Sequence, residues 1–391
     1  MRHHQPTATA TDAADGGAWM QGPTDLIDLL DGPDRARVET VNLFAGAGGW
    51  DEGARILGLD LQAEGVELSA DACATARAAG HRRRNVDVRN VHPNEYPNAT
   101  GLIVSPPCPS FSVAGTHGDR DGREQQRVRD IWTGIGWGID PLDALADVRF
   151  IKDPRTALLT VAGVWAMTMP NLDWLVMEQV PAVNESFIDL TAELSSMGWD
   201  FFDVCDFDAA EVGVPSHRKR TFLVGNRVRP GYGIEVASRA EGPTMAQALR
   251  WPEGHTMITR GDRAAGGGNK FSADSTSWCL TGRARSWQRD DGLRLSAAQA
   301  GYLSGFRPDY PWTGSRSSQF QQAGDVVSPL VAAVVIADAL HVPAASHIAA
   351  ERTRLYGPPD AYASRLTPRR APALGPYTSP SLAPTAPGVS A

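Results

Sequence analysis

The sequence predicts an α/β fold, a mostly parallel sheet with helices on both faces. Short apolar runs alternate with helical stretches over residues 37–227, the pattern of strands joined by crossover helices. A glycine-rich turn, Ala45–Gly49, follows the first apolar run directly. The run Leu102–Val104 ends abruptly at Pro106 and Pro107, since neither proline can donate to a strand ladder. Together these observations place ligand-binding turns at one edge of the sheet, where open α/β sheets bind their ligands.

The apolar pattern predicts the elements in order. Strands are expected at 37–44, 61–67, 86–88, 102–105, 174–177, 201–207 and 221–226. Helices are expected at 50–57, 71–79, 156–169, 297–305 and 329–340. Residues 116–152 are rich in charge, Gly and Trp, and we expect a long connection there. Connections of this length are usually functional or mobile.

Composition divides the chain into segments. Residues 1–36 are small and polar, which predicts a flexible lead-in, and residues 37–227 form the main domain. Residues 228–292 have few long apolar runs and many Gly, Arg, Ser and Trp, which indicates a small, loop-rich second domain. Residues 293–342 return to a helical pattern. The tail, 343–391, holds eight prolines after residue 357, and we expect it to be disordered.

Net charge, apolar runs and cysteine spacing argue against several classes of protein. The net charge of −8 taken alone counts against a nucleic-acid binder, although a basic cleft can exist within an acidic chain. No apolar run reaches 18 residues and the first 22 residues lack an apolar signal-peptide centre, so no membrane partner is expected. The four cysteines lack C-x-x-C spacing, which argues against zinc or a disulfide framework and favours the cytoplasm. We expect no metal.

The glycine-rich turn is the first candidate site. Such a turn lets a ligand approach the backbone closely. Glu67, at the end of the second predicted strand, can accept hydrogen bonds from ribose hydroxyls, and Asp87 could hold an adenine amino group. The structural alternatives are a helix N-cap neighbour for Glu67 and a surface acid for Asp87. The turn lacks the Gly-x-x-x-x-Gly-Lys-Ser/Thr pattern of a triphosphate-binding loop.

A second candidate site combines a thiol with a carboxyl group. Cys108 lies just past a predicted strand end on a turn stiffened by prolines, although a lone cysteine is usually inert. Glu178 follows four apolar residues, where a carboxyl group is costly without a partner. A helix N-cap or an ion pair is the structural alternative for Glu178. A thiolate beside such a group suits attack on an electron-poor ring.

Basic clusters occur at 81–84, at 217–220 and around Arg283, Arg285 and Arg289. Such runs are often solvated faces. Arg218 and Arg220, at alternating positions before a strand, point the same way and could hold phosphate or a carbonyl oxygen.

Five sequence blocks together make the chain resemble the DNA (cytosine-5) methyltransferase family. They match the family's order across residues 38–342. The blocks are Phe44–Gly48 for Phe-x-Gly-x-Gly, Pro106–Ser112 for the Pro-Cys block, Glu178–Val180 for Glu-Asn-Val, Ser216–Arg220 for Gln-x-Arg-x-Arg, and Gly324–Pro329 for Gly-Asn-x-Val-x-Pro. Four positions depart from the family pattern: Pro109 replaces Gln, Gln179 replaces Asn, Ser216 replaces Gln and Asp325 replaces Asn.

The resemblance implies a Rossmann-like S-adenosylmethionine-dependent methyltransferase sheet over 37–227. Residues 228–292 would be the target recognition domain, and 293–342 the return to the catalytic domain. The implied reaction transfers a methyl group from S-adenosylmethionine to carbon 5 of a cytosine flipped out of duplex DNA. Cys108 would attack carbon 6, Glu178 would hold ring nitrogen 3 and the exocyclic amine, and Arg220 would hold oxygen 2. Arg218 would serve nearby backbone or loop contacts, and the loop after Cys108 would be a lid.

The resemblance also assigns binding residues. The cofactor residues are Phe44, Ala45, Gly46, Gly48, Gly49, Glu67, Asp87, Pro106, Asp325 and Val327. The DNA-binding residues are Ser112, Arg283, Arg285 and Arg289.

Three alternatives stay open: a tRNA cytosine-5 methyltransferase, a catalytically inactive DNA-binding homologue, and an enzyme with a variant group donor. We expect a monomer in the cytoplasm of a bacterial or phage-infected cell. It would modify host or phage DNA, either alone or beside a separate cognate restriction endonuclease.

Overall fold

The structure is a computed structural model that describes residues 35–107, 122–227, 239–259 and 270–358. Within these residues, seven strands form one sheet of order β3-β2-β1-β4-β5-β7-β6. The strands are β1 Thr40–Leu43, β2 Ala63–Glu67, β3 Arg83–Asn85, β4 Gly101–Val104, β5 Trp174–Gln179, β6 Phe201–Asp208 and β7 Lys219–Asn226. The first five strands are parallel, and β7 runs antiparallel between β5 and β6.

The register of the sheet gathers the candidate residues at one edge. Leu43 of β1 pairs with Val104 of β4, and Val104 pairs with Met177 of β5. The last residues of β1 and β4 therefore lie side by side, next to Met177 near the end of β5. Because β7 is antiparallel, its beginning meets the end of β5, and Gln179 pairs with Thr221. The strand reversal thus brings the start of β7 to the carboxyl edge of the parallel strands.

Helices cover both faces of the sheet, which confirms the predicted α/β fold. In the main domain these are α1 Gly49–Ile56, α2 Ala70–Ala78, α3 Arg123–Gly136, α4 Pro141–Leu145, α5 Pro154–Thr168 and α6 Asn184–Ser196. Later in the chain come α7 Met245–Leu249, α8 Ala297–Leu303, α9 Arg316–Asp325, α10 Pro329–Leu340 and α11 Ala345–Tyr356. Helices α1 and α10 share one apolar core with Ile103 and Val176. Helices α3, α5 and α6 share another with Leu43 and Val104 on the opposite face.

One described stretch, Arg316–Leu340, has the length and apolarity of a membrane-spanning helix. However, 89% of its apolar window is buried inside the fold. The chain is also extended at Val326, so the stretch divides into α9 and α10. This burial identifies α10 as a core helix, packed against both the sheet and α1.

A smaller antiparallel sheet of order β10-β8-β9 lies in the second half of the chain. Its strands are β8 Thr256–Ile258, β9 Lys270–Ser272 and β10 Gln288–Arg289. Its apolar core includes Met257, Phe271 and Trp287, and it also includes Leu303 of α8 and Phe320 of α9. The small core therefore draws side chains from both sides of residue 292.

Three predicted elements differ from the structure. The third strand was expected at 86–88 but lies at Arg83–Asn85, and Val88–Asn90 is a 3-10 turn. The charged side chains of this strand hide it from an apolar pattern. The expected connection at 116–152 contains α3, whose buried residues Val128, Ile131, Trp132 and Ile135 follow helical spacing.

The third difference is α11, which lies within the tail that we expected to be disordered from residue 343. Ile348 is fully buried against the α1–α10 core. The Tyr302 hydroxyl donates to the Leu355 carbonyl, and the Tyr356 hydroxyl donates to the Tyr302 carbonyl at 3.1 Å. These contacts tie α11 to α8. The proline-rich residues 359–391 lie outside the described residues.

Candidate active site

The turn after β1 is tied to the end of β2. The Gly46 amide donates to one Glu67 carboxylate oxygen at 2.9 Å, and the Ser69 amide donates to the other at 2.7 Å. Phe44 (φ 57°) and Gly46 (φ 55°) are both left-handed, a conformation that a non-glycine residue seldom adopts. The structure therefore brings together Phe44, Gly46 and Glu67, three of the predicted cofactor residues.

The glycines of this turn have different surroundings. A side chain at Gly46 would meet open space, whereas one at Gly49 would collide with the Val327 carbonyl oxygen. A side chain at Gly48 would collide with the Tyr310 hydroxyl. Gly48 and Gly49 thus allow the C-terminal segment to pack closely against α1. Gly46 is the glycine that leaves room beside the turn.

The buried Arg83 side chain supports the glycine-rich turn by donating hydrogen bonds to its carbonyl groups. The side chain is completely buried and donates to Asp51 at 2.6 Å, to the Gly46 carbonyl at 3.2 Å and to the Ala45 carbonyl at 3.3 Å. Burial acts to raise the pKa of Asp51, but the charge and hydrogen bonds of Arg83, with the charge of His81, outweigh it and lower the pKa. Asp51 is therefore held as a carboxylate.

Sequence reasoning missed the role of Arg83, because it lies in the run 81–84 that we weighed as a solvated face. The available signal was Gly65 in the middle of β2. Gly65 pairs with Arg83 in the register, and a side chain there would collide with the arginine. A glycine inside a strand often marks such a close approach.

Tyr310 is a second supporting residue that sequence reasoning did not single out. Its hydroxyl donates to the Ala47 carbonyl, and its ring lies 4.6 Å from that of Phe306 and 5.0 Å from that of Trp312. Burial raises the pKa of Tyr310, so the hydroxyl stays a neutral donor. The spacing of these aromatic residues after α8 was the signal that could have found it.

Asp87 lies beside Glu67 but is engaged by its own neighbour. The Val86 amide donates to the Glu67 carbonyl at 3.1 Å, which fixes this segment at the edge of the sheet. The Asp87 carboxylate accepts from the Arg89 amide at 2.9 Å and from the Arg89 guanidinium at 2.6 to 3.1 Å. Burial acts to raise the pKa of Asp87, but the hydrogen bonds and charge of Arg89 outweigh it and lower the pKa.

Glu178 and Arg220 form an ion pair at the carboxyl edge of the sheet. The Arg220 Nε lies 2.9 Å from the Glu178 carboxylate, and Glu178 is only 6% exposed. Glu178 is the fifth residue of β5 and Arg220 the second residue of the antiparallel β7. The buried carboxyl group thus has the partner that its apolar surroundings require. That partner is another of the predicted site residues.

Gln179 fixes the turn that leads to Cys108. Its side-chain amide donates to the Pro106 carbonyl, and its oxygen accepts from the Val180 amide at 2.6 Å. The Trp50 indole donates to the Ser105 hydroxyl at 2.8 Å. The turn is therefore held both from β5 and from α1. Gln179, at the position where the family pattern has Asn, therefore holds this turn.

Cys108 and Ser112 lie outside the described residues, so their predicted roles stay predictions. The described chain stops at Pro107, next to the bond that Gln179 donates to Pro106.

Arg218 contacts a helix end, and its guanidinium bonds are not directed at Glu178. It donates to the Gly324 carbonyl at 2.8 Å and to the Asp325 carbonyl at 3.0 Å, at the C-terminus of α9. Burial, and then the positive charge of Arg220, lower the pKa of Arg218. The Ser216 hydroxyl donates to the Leu303 carbonyl of α8 at 2.8 Å. This block therefore joins β7 to the helices of the C-terminal half.

The three arginines predicted to bind DNA differ in their solvent exposure and local contacts. Arg283 and Arg285 are exposed on the 3-10 turn Gly282–Ser286, which packs against α9. Arg289 donates to Asp291 at 2.5 and 2.9 Å, and its guanidinium lies 5.0 Å from the Trp251 ring centroid. Arg289 is therefore committed to local contacts. The side chains of Arg283 and Arg285 are exposed to solvent, although Arg285 also donates to the Gly282 carbonyl at 2.9 Å.

Three features lie at this sheet edge: the glycine-rich turn bonded to Glu67, the buried Glu178–Arg220 ion pair, and the proline turn held by Gln179. The Glu67 carboxylate can accept hydrogen bonds from hydroxyl groups. The ion pair can both donate to and accept from a planar polar ring. A model of C-5 cytosine-specific DNA methylases matches residues 38–132, from β1 into α3. This part of the chain is therefore similar to the C-5 cytosine-specific DNA methylase family.

Curated proteins similar to this chain are named as Type II methyltransferases. M.AplI of Arthrospira platensis is 25% identical over 345 residues, 77% of this chain and 85% of the relative. M1.HphI of Haemophilus parahaemolyticus is 22% identical over 348 residues, 75% of this chain and 84% of the relative. M.AgeI of Thalassovita gelatinovora is 25% identical over 224 residues, 52% of this chain. That match covers only 44% of M.AgeI, so the chain spans less than half of that relative.

Solved structures of methyltransferases share the fold. The Dnmt2 methyltransferase of S. pombe superposes with a TM-score of 0.54 at 14% identity, covering 78% of this chain and 99% of that one. EhMeth of Entamoeba histolytica superposes with a TM-score of 0.53 at 13% identity, covering 78% and 98%. At this identity the likeness concerns the fold alone.

Proposed function

We propose that the chain transfers a methyl group from S-adenosylmethionine to carbon 5 of cytosine in duplex DNA. One observation carries the proposal. The buried Glu178–Arg220 pair lies at the same sheet edge as the turn that leads into Cys108. The pair offers a carboxylate and a guanidinium, which match the polar edge of a cytosine ring.

The residues of the glycine-rich turn fit the proposed cofactor. Gly46 leaves open space, and Glu67 accepts one backbone amide on each oxygen, which leaves lone pairs for ribose hydroxyls. Asp87 and the exposed side chain of Leu68 lie beside this carboxylate. When bound, S-adenosylmethionine would supply an electrophilic methyl group on a sulfonium sulfur. Asp325 and Val327 would close this side of the site through the contact of Val327 with Gly49.

The proposed chemistry begins at Cys108. Its thiolate adds to carbon 6 of the cytosine, and the resulting electron pair at carbon 5 forms the bond to the methyl group as the methyl–sulfur bond breaks. Loss of the carbon-5 proton to a base then restores the ring double bond and expels the thiolate. Arg220 would donate to oxygen 2, and Glu178 would hold ring nitrogen 3 and the exocyclic amine. Covalent addition divides one difficult step into two easier ones.

The proposed DNA substrate requires base flipping, because a stacked cytosine cannot reach a pocket at the sheet edge. Arg283 and Arg285 would contact base edges or phosphates from the turn beside α9. The names of the relatives support a role in DNA modification, beside a cognate endonuclease or alone. We propose that the protein acts as a monomer in the cytoplasm of a bacterial or phage-infected cell.

Bisulfite sequencing tests the proposed function. The chain is expressed in cells that lack cytosine-5 methylation, with Cys108→Ala as the matched control. We expect conversion-resistant cytosines within one short recurring DNA motif in cells that express the wild-type chain, and none with the variant. Resistant cytosines only in tRNA would favour the RNA substrate. Unmodified DNA and RNA from cells with abundant folded protein would favour an inactive homologue.

A further inference from the structure

We propose that Arg89 determines how selectively the cofactor site reads the amino group of adenine. The inference rests on the proposed function, which places an adenine beside Asp87. Arg89 is two residues from the acid that would accept the amino group, and its guanidinium is paired with that acid. The site therefore presents a carboxylate and a guanidinium together.

The pairing uses most of the acceptor capacity of Asp87. The Arg89 amide and Nε donate to one carboxylate oxygen at 2.9 and 3.0 Å. The Nε and Nη2 donate to the other at 3.1 and 2.6 Å. A carboxylate has about four lone-pair sites, so an additional donor must share an oxygen or displace Arg89.

Charge decides which donor holds the carboxylate. A guanidinium makes charge-assisted, bidentate bonds to a carboxylate, and these are stronger than the bond from a neutral amino group. The adenine amine therefore competes with a stronger resident donor. A base with a carbonyl oxygen at the same position would repel Asp87 alone but can accept from Arg89. The pair consequently makes the site tolerant of either group, and Asp87 without Arg89 would accept only the amine.

The position of the pair distinguishes it from a merely structural one. The side chains of Arg89 and Asp87 are 30% and 18% exposed, and the segment is bonded to the Glu67 strand end. The same pattern occurs at the start of α5, where the Asp153 carboxylate accepts from the Arg155 amide at 2.9 Å and from its guanidinium at 3.0 and 3.1 Å. That second pair lies outside the candidate site and supplies a matched control.

The experiment compares two probes on the full chain. S-adenosylhomocysteine carries the amino group, and S-inosylhomocysteine carries a carbonyl oxygen in its place. Dissociation constants are measured by calorimetry for the wild type, Arg89→Met and Arg155→Met. We expect the wild type to prefer the amino probe by less than about fivefold, and Arg89→Met to prefer it by about fiftyfold or more, since a bound base with a carbonyl oxygen would leave the Asp87 carboxylate facing another acceptor without a donor. Arg89→Met should also bind S-adenosylhomocysteine more tightly, while Arg155→Met keeps wild-type values.

Two outcomes would overturn the inference separately from the proposed function. If Arg89→Met binds S-adenosylhomocysteine but keeps the wild-type preference, Arg89 has no part in reading the base. If it loses binding of both probes while its thermal unfolding is unchanged, the arginine supports the site rather than competing with the ligand. Arg89→Lys retains a charge without the bidentate guanidinium, and an intermediate preference is expected if it folds where Arg89→Met does not.

By contrast, two results would count against the proposed cofactor itself. One is failure of the wild type to bind S-adenosylhomocysteine, and the other is failure of Glu67→Ala to weaken that binding.

Discussion

Arg220→Met is expected to lower the methylation rate by about a hundredfold or more and to destabilise the fold by about 3 kcal/mol. Both effects follow from the ion pair with Glu178, whose carboxyl group is 6% exposed and 2.9 Å from Arg220. Without the guanidinium, Glu178 is left buried and uncompensated. The proposed substrate also loses the donor to its oxygen 2.

The two effects of Arg220→Met are separated by a double variant. Glu178→Gln removes the buried charge, so Glu178→Gln with Arg220→Met should recover most of the stability in urea unfolding but none of the activity. Arg227→Met, at an arginine outside the ion pair just past β7, is the matched control and should retain activity. An Arg220→Met variant with wild-type turnover would contradict the role assigned to the pair.

Arg83→Met is expected to lower the free energy of unfolding by about 3 to 5 kcal/mol, the usual range for removing one partner of a buried pair. The Arg83 side chain is completely buried and Asp51 is nearly so. The variant also removes the donors to the Ala45 and Gly46 carbonyls. The cofactor turn should therefore loosen, and S-adenosylhomocysteine should bind about tenfold more weakly, the equivalent of roughly one lost hydrogen bond.

Controls for Arg83→Met come from its own basic run. Arg82 is exposed and its guanidinium donates to the Gln62 side chain at 3.2 Å, so Arg82→Met should change stability by less than about 0.5 kcal/mol. Asp51→Leu combined with Arg83→Met removes both charges and should recover part of the stability. Equal unfolding free energies for Arg82→Met and Arg83→Met would contradict the buried role of Arg83.

The regular parts of the fold could be predicted because their signals are local. The helix expected at 329–340 has those bounds, and the strands around the Ala45–Gly49 turn and the Cys108 turn lie within two or three residues of expectation. The parallel pairing of β4 with β5 places Glu178 beside the proline turn. The apolar neighbours of Glu178 also indicated that it must have a partner.

The remaining differences come from long-range pairing that a sequence pattern does not encode. The strand β3 consists of Arg83, Arg84 and Asn85, so its membership of the sheet depends on pairing with β2. Helix α11 is held by Ile348 and by the contact of Tyr356 with Tyr302, which are 54 residues apart. Neither contact is visible from composition, which in that region is dominated by the following prolines.

Side-chain partners were the least predictable feature of the site. The Asp87 carboxylate can accept from a ligand or from its neighbour Arg89, and the sequence does not distinguish these two roles. Arg289 likewise pairs with Asp291, although its basic cluster suggested DNA contact. Arg218 was expected to make backbone or loop contacts, but the sequence did not indicate that its partners would be the carbonyls at the end of α9. In each case a carboxylate or carbonyl nearby in the fold decides which role the charged group has.

Covalent trapping tests the central claim most directly. The chain is incubated with S-adenosylmethionine and duplex DNA that carries 5-fluorocytosine at the motif identified by sequencing. Fluorine at carbon 5 cannot leave as a proton does, so the sulfur–carbon 6 bond should persist through a denaturing gel. We predict a protein–DNA adduct with the wild type and none with Cys108→Ser, while both bind S-adenosylhomocysteine equally. No adduct from an active wild-type preparation, or wild-type methylation by Cys108→Ser, would contradict the account.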